Sequence, residues 1–144
     1  MADMPWWFVF ALLSAFFAAL TSILAKVGIE GVNSNLATAI RTVVIILFAW
    51  GIVVATGEVK GLSQISQKGW IFLGLSGLAT GLSWLFYFRA LQLGEAAKVS
   101  PVDKLSLVLT VILAVVFLKE KLSLLGWVGA LMVAGGVAIL GLGK

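Results

Sequence analysis

Leu36 to Thr56 reads LATAIRTVVIILFAWGIVVAT, a run of about twenty residues whose single formal charge is Arg41. As a helix rising 1.5 Å per residue it spans roughly 31 Å, the thickness of a bilayer's hydrocarbon core. Four further apolar runs have similar reach: Trp6 to Lys26, Trp70 to Leu93, Pro101 to Leu118 and Leu124 to Leu142. In hydrocarbon every backbone N–H and C=O must pair within the protein, which leaves helices or a closed barrel. Barrel strands alternate polar and apolar residues, and Val43 to Phe48 and Leu105 to Leu109 do not. The chain therefore reads as an all-α integral membrane protein, a five-transmembrane-helix bundle forming one domain over residues 1–144.

Composition agrees. The chain is 62% hydrophobic and 11% charged, with mean hydropathy +1.16, far from the roughly one-quarter charged content of soluble domains. Its net charge of +4 comes from scattered lysines and arginines without a basic block, so nucleic acid is not an expected partner. Cysteine and histidine are both absent, which removes thiolate and imidazole metal ligands; no metal and no cofactor is expected. Asp3 stands where a secretory signal would carry basic residues, and the run after it is too long for a signal core, so it reads as the first helix. With no G-x-S-x-G elbow and no P-loop, an enzyme is not expected. All six acids, Asp3, Glu30, Glu58, Glu95, Asp103 and Glu120, fall at termini or near expected helix ends. A deep carboxylate that exchanges protons for a lipophilic cation is thus not expected.

Trp6, Trp7, Trp70 and Trp127 stand near helix starts and Trp50 near an end, where indoles favour the headgroup level. Val27 to Asn35 and Gly57 to Gly69 read as polar loops, Gly94 as a helix stop, Ser100-Pro101 as the start of the fourth helix, and Lys119-Glu120-Lys121 as a tight turn. Five spans put the termini on opposite sides. One side then carries four loop charges (Lys60, Lys68, Lys119, Lys121) and the other three (Lys26, Lys98, Lys144), or six when Arg41, Arg89 and Lys104 inside helices are counted. So weak a bias selects no orientation and permits insertion both ways up.

Four of the spans carry a polar stripe. Ser14, Ala18, Ser22 and Lys26 recur every four residues; Thr38, Arg41 and Thr42 share a face; Ser76, Thr80, Ser83 and Tyr87 follow helical spacing, with Trp84 one turn after Thr80; Asp103, Ser106 and Thr110 repeat the pattern. Stripes of this kind can surround a wet cavity, and the expected substrate-binding residues are Ser22, Lys26, Thr38, Arg41, Thr80, Trp84, Tyr87 and Asp103. Each has a plainer alternative. A hydroxyl can bond its own helix or a neighbour, and Lys26 and Arg89 can anchor at the interface. Asp103 can close a capping box with Ser100. The fifth span lacks a polar stripe but places Gly126, Ala130, Ala134 and Ala138 on one ridge, an expected dimer interface whose alternative is packing inside one subunit.

Three segments carry a resemblance: Arg89-Ala-Leu-Gln-Leu-Gly94-Glu-Ala-Ala-Lys-Val-Ser-Pro-Val102, Phe117-Leu-Lys-Glu120-Lys-Leu-Ser123 and Gly126-Trp-Val-Gly-Ala-Leu-Met-Val-Ala-Gly-Gly-Val-Ala-Ile-Leu140. They resemble the later part of an EamA domain of the drug/metabolite transporter superfamily, and Phe10 to Val44 is similar to the opening of its short, single-domain prokaryotic members. The resemblance implies half of a ten-helix inverted-repeat fold in the cell (inner) membrane. It also implies a secondary-active transporter of a small molecule, completed as an antiparallel homodimer. The alternative it leaves open is a non-transporting subunit, or half of a heteromeric lipid-linked sugar flippase. Arg41 and Lys26 point to an anionic, zwitterionic or neutral metabolite as the substrate.

Overall fold

The computed structural model describes residues 5–142; Asp3 and Lys144, used in the reading above, lie outside them. The described residues form six helices and one 3-10 segment. These are α1 (Trp6–Gly28), α2 (Ser34–Ala55), the 3-10 segment Glu58–Gln64, α3 (Gln67–Leu93), α4 (Ala96–Asp103), α5 (Leu105–Phe117) and α6 (Leu124–Leu142). Five stretches are long and apolar enough to cross a membrane, α4 and α5 together forming the fourth, Ala96–Phe117.

Local chemistry explains the starts and stops. Asn33 caps α2, its side-chain oxygen accepting from the N–H groups of Asn35 and Leu36 at 2.9 and 3.4 Å. Ser66 and Ser123 do the same for α3 and α6, accepting from Gly69 and Gly126. After α5 the chain reverses through Lys119, whose φ of 56° is the left-handed position in which helices commonly end. The loop expected from Gly57 to Gly69 holds the 3-10 segment, entered through Gly57 at φ 75°.

The fourth span corrects the sequence reading. It begins at Ala96 behind Glu95, whose carbonyl accepts from Lys98 and Val99, so Ser100 and Pro101 lie within a helix and do not start one. Ala96-Ala97-Lys98 are strong helix formers directly after the break at Gly94, and that local preference outweighs the proline as a start signal. Pro101 offers no N–H to the carbonyl one turn back, and α4 ends two residues later at Asp103. Lys104, at φ −70° and ψ −4°, joins it to α5. The expected Ser100–Asp103 capping box does not form: the Asp103 carboxylate lies 3.5 Å from the Lys104 ammonium.

The chain divides into two compact units, one comprising residues 5–24 and 93–142 and the other 25–92. In the first, α6 packs on α4 and α5. A Cβ added to Gly141 would stand 2.9 Å from Val102, so glycine permits this approach. Ala130 and Val137 are buried there. In the second unit Ile29, Phe88 and Leu91 form a small core beside buried Ser34 and Thr38. Most other large apolar side chains remain exposed, Phe48 and Phe86 above 70% among them, as a surface solvated by lipid allows.

Replacing Asn33 with alanine removes the cap of α2 and should lower stability by about 1 kcal/mol. Thermal unfolding in detergent checks it, with Asn33→Asp expected to restore the wild-type midpoint.

Candidate functional site

The most distinctive cluster lies in the second unit. Arg41, one turn after Thr38 on α2, holds its guanidinium carbon 4.3 Å from the Trp84 ring centroid and 5.5 Å from that of Phe88, both on α3. Both distances fall within the ~6 Å range of cation–π attraction. Phe88 is only 3% exposed and forms the floor of the cluster; Tyr87 meets it edge-on with centroids 6.3 Å apart. Among the described residues no carboxylate pairs with Arg41: the two ion pairs are Glu95–Lys98 and Asp103–Lys104. Aromatic faces take the place of a carboxylate counter-ion beside the guanidinium.

Five hydroxyls of the stripes are engaged by their own helices. Thr38 donates to the Ser34 carbonyl at 2.9 Å, Thr42 to Thr38 at 2.8 Å, Thr80 to Ser76 at 2.9 Å, Thr110 to Ser106 at 2.7 Å and Ser22 to Ala18 at 3.0 Å. With its one proton committed, each oxygen meets further groups as an acceptor. Thr38 is buried near Arg41 in sequence and depth, whereas Thr80 lies exposed one turn before Trp84.

Lys26 has a structural partner. Its ammonium donates to the Leu91 carbonyl at 2.6 Å, in the last turn of α3, where unpaired carbonyls and the negative end of the helix dipole favour a cation. Nearby, Gln92 donates to the Val32 carbonyl at 2.8 Å and accepts from Arg89 at 2.7 Å. These bonds fasten the ends of α1 and α3 and the first loop together. An open cleft of about 420 Å³ lies in the same unit, lined by Asn33, Ser34, Asn35, Leu85, Phe86 and Arg89.

The remaining expected residues belong to the first unit. Ser22 is buried with its oxygen 3.5 Å from that of Ser100, and Asp103 pairs with Lys104. On α6, Ala130 is buried, Gly126 and Ala134 are half-buried and Ala138 is exposed. A Cβ at Gly126 would fall 2.7 Å or less from atoms of Leu122, so this glycine has a local role in seating the residue before the helix cap.

The spans, the intramembrane arginine and its aromatic partners can be set beside known proteins. A profile of the EamA-like transporter family matches residues 5–142, almost the whole chain. The chain belongs to that family. This EamA-like chain is also 55% identical over 134 residues to a Sinorhizobium sp protein described as an uncharacterized transporter in the cobO 3' region, the match covering 93% of this chain and 95% of that protein. No solved structure matches it. Membership and the five apolar stretches make it a multi-pass membrane protein.

The structure brings Arg41, Trp84 and Tyr87 of the expected set together and adds Phe88 and Gln92, which the sequence reading did not include. Their signal was present: Phe88 and Gln92 continue the face of Trp84 at four-residue steps. A double-mutant cycle of Arg41→Leu and Trp84→Leu, read from thermal unfolding in nanodiscs, should give a coupling of about 0.5–2 kcal/mol. Additivity within a few tenths would show that the stacking contributes nothing.

Proposed function

We propose that this EamA-like protein is a secondary-active transporter of a small anionic, zwitterionic or neutral metabolite in the cell (inner) membrane, working as an antiparallel homodimer. Arg41 carries the reading. A guanidinium within a span, beside aromatic rings and with no carboxylate partner among the described residues, is expensive to keep unless water or an anionic ligand reaches it. The substrate contacts are Arg41, Thr38, Trp84, Tyr87 and Thr80, with Ser22, Lys26 and Asp103 as the further expected members. The family's name and the Sinorhizobium relative's description as a transporter support the activity. That relative's matching length supports a half-length unit that completes its bundle by pairing.

Uptake by proteoliposomes of a radiolabelled panel of amino acids, nucleosides and short carboxylates tests the activity. Arg41→Leu should abolish uptake of the accepted substrate while leaving folding intact, and Arg41→Lys should keep only part of it, because an ammonium lacks the bidentate fork. Full transport by the leucine variant would remove Arg41 from the site.

Dimerisation and orientation have their own test. Gly126, Ala130 and Ala134 are covered to differing degrees within their own unit, so Ala138 is the member of the proposed α6 interface most open to a second copy. Ala138→Leu should weaken a dimer measured by cross-linking in bilayers. Tags on the C-terminus should be found on both sides of the membrane, and added loop lysines should lock one orientation. A single orientation in the wild type would instead leave a parallel dimer or a partner chain.

A further inference from the structure

The corrected fourth span changes the standing of one residue. With its start at Ala96, Asp103 lies seven residues inside the stretch Ala96–Phe117, roughly 10 Å of helix from its beginning. It is the one carboxylate within the five candidate spans of the described residues, since Glu30, Glu58, Glu95 and Glu120 all fall outside them. It occupies the break itself, as the last residue of α4, and the next residue, Lys104, supplies an ammonium 3.5 Å from its Oδ2. Ser100, Asp103 and Lys104 follow at the spacing of one helical face, and Ser22 stands opposite Ser100.

We propose that Asp103 and Lys104 form a coupling site in which a proton and an anionic substrate group bind together. This rests on the transporter reading above. With Asp103 ionised, the two charges neutralise each other and the site is closed to anions. A proton from the aqueous phase adds to a lone pair of the Asp103 carboxylate and forms an O–H bond; the ion pair ends, and Lys104 is left as a solitary cation in a span. A solitary cation there is costly, and a carboxylate or phosphate group of the substrate relieves that cost. When the proton leaves on the other side, Asp103 reclaims Lys104 and expels the anion. By linkage the anion favours the protonated acid as strongly as the proton favours the anion.

The surroundings suit such a pair because they hold no competing charge. α5 and α6, which pack with α4, contain no titratable residue. Residues 6–24 of α1 contain none either, and Lys26, one turn beyond Ser22, donates to the Leu91 carbonyl. The one other charge on this stretch, Lys98, pairs at 3.7 Å with Glu95, the residue just before its start. The break also gives the pair room to move, since Pro101 and the turn at Lys104 interrupt the rigid ladder of backbone bonds.

The test has two arms on the full chain in lipid. In proteoliposomes offered the radiolabelled panel, an inward proton gradient should drive accumulation by the wild type. Asp103→Asn should lose that accumulation while still exchanging internal for external substrate, because Lys104 is then permanently available. Asp103→Glu, which keeps a carboxyl, should retain gradient-driven uptake, and Lys104→Gln should weaken uptake of the anion by roughly 5- to 150-fold. Accumulation by Asp103→Asn equal to wild type, loss of both accumulation and exchange in a folded Asp103→Asn, or uptake driven by sodium instead of protons would each overturn the proposal while leaving a transporter.

The second arm does not depend on transport. Infrared titration of the protein in nanodiscs, with Asp103→Asn subtracted, isolates the Asp103 carboxyl band, and Lys104→Gln should move the pH at which its protonated form appears. A band indifferent to Lys104 overturns the coupling site. A band that responds, in a protein that moves no member of the panel, leaves the proton site standing and removes the transport reading.

Discussion

Hydrocarbon offers no hydrogen-bond partners, and that single constraint shapes this chain more than any side-chain contact. It forces five stretches into helices long enough to cross, and makes the few places where helices break, at Asn33, Gly57, Glu95, Lys104 and Lys119, the positions where local chemistry decides the fold. It also permits an exposed apolar surface that water would not tolerate. The buried core can therefore be as small as Ile29, Phe88 and Leu91 in one unit and Ala130 and Val137 in the other.

The same constraint makes every intramembrane charge a problem with few solutions, and Lys26, Lys104 and Arg41 show three of them. Lys26 reaches the free carbonyls at the end of α3. Lys104 is neutralised by the neighbouring carboxylate. Arg41 is set over aromatic faces, a contact worth about 0.5–2 kcal/mol that leaves its N–H donors without a carboxylate among the described residues. A guanidinium held by ring faces alone is open to capture by a ligand, and for that reason Arg41 carries the proposed function.

The helices were legible in the sequence because span length and apolar continuity depend on nothing beyond local order. What was not legible depended on competition between local signals. Ser100-Pro101 is a good helix start in isolation, yet the alanines before it are better helix formers, and only the folded chain shows which signal wins. Arg41, Trp84 and Tyr87 could be found from residue type and spacing. Phe88 shares the face of Trp84 in the sequence, and its burial is what separates it from a lipid-facing aromatic. The α6 ridge had two readings from the start, and the burial of Ala130 beside the exposure of Ala138 assigns different surroundings to its two ends.

The helix break after Pro101 bears on the proposed coupling. A continuous helix from Ala96 to Phe117 would hold Asp103 and Lys104 on a rigid frame, where separating the charges requires moving a whole span. With α4 ending at Asp103 and α5 resuming at Leu105, the rearrangement that the proposed coupling needs centres on the joint at Lys104. A carboxylate at such a joint can change partner with little movement of the flanking helices, whose apolar faces stay in contact with lipid throughout. The break after Pro101 thus sets the one carboxylate inside the described spans at the joint between two helical segments, where the proposed coupling requires its surroundings to switch.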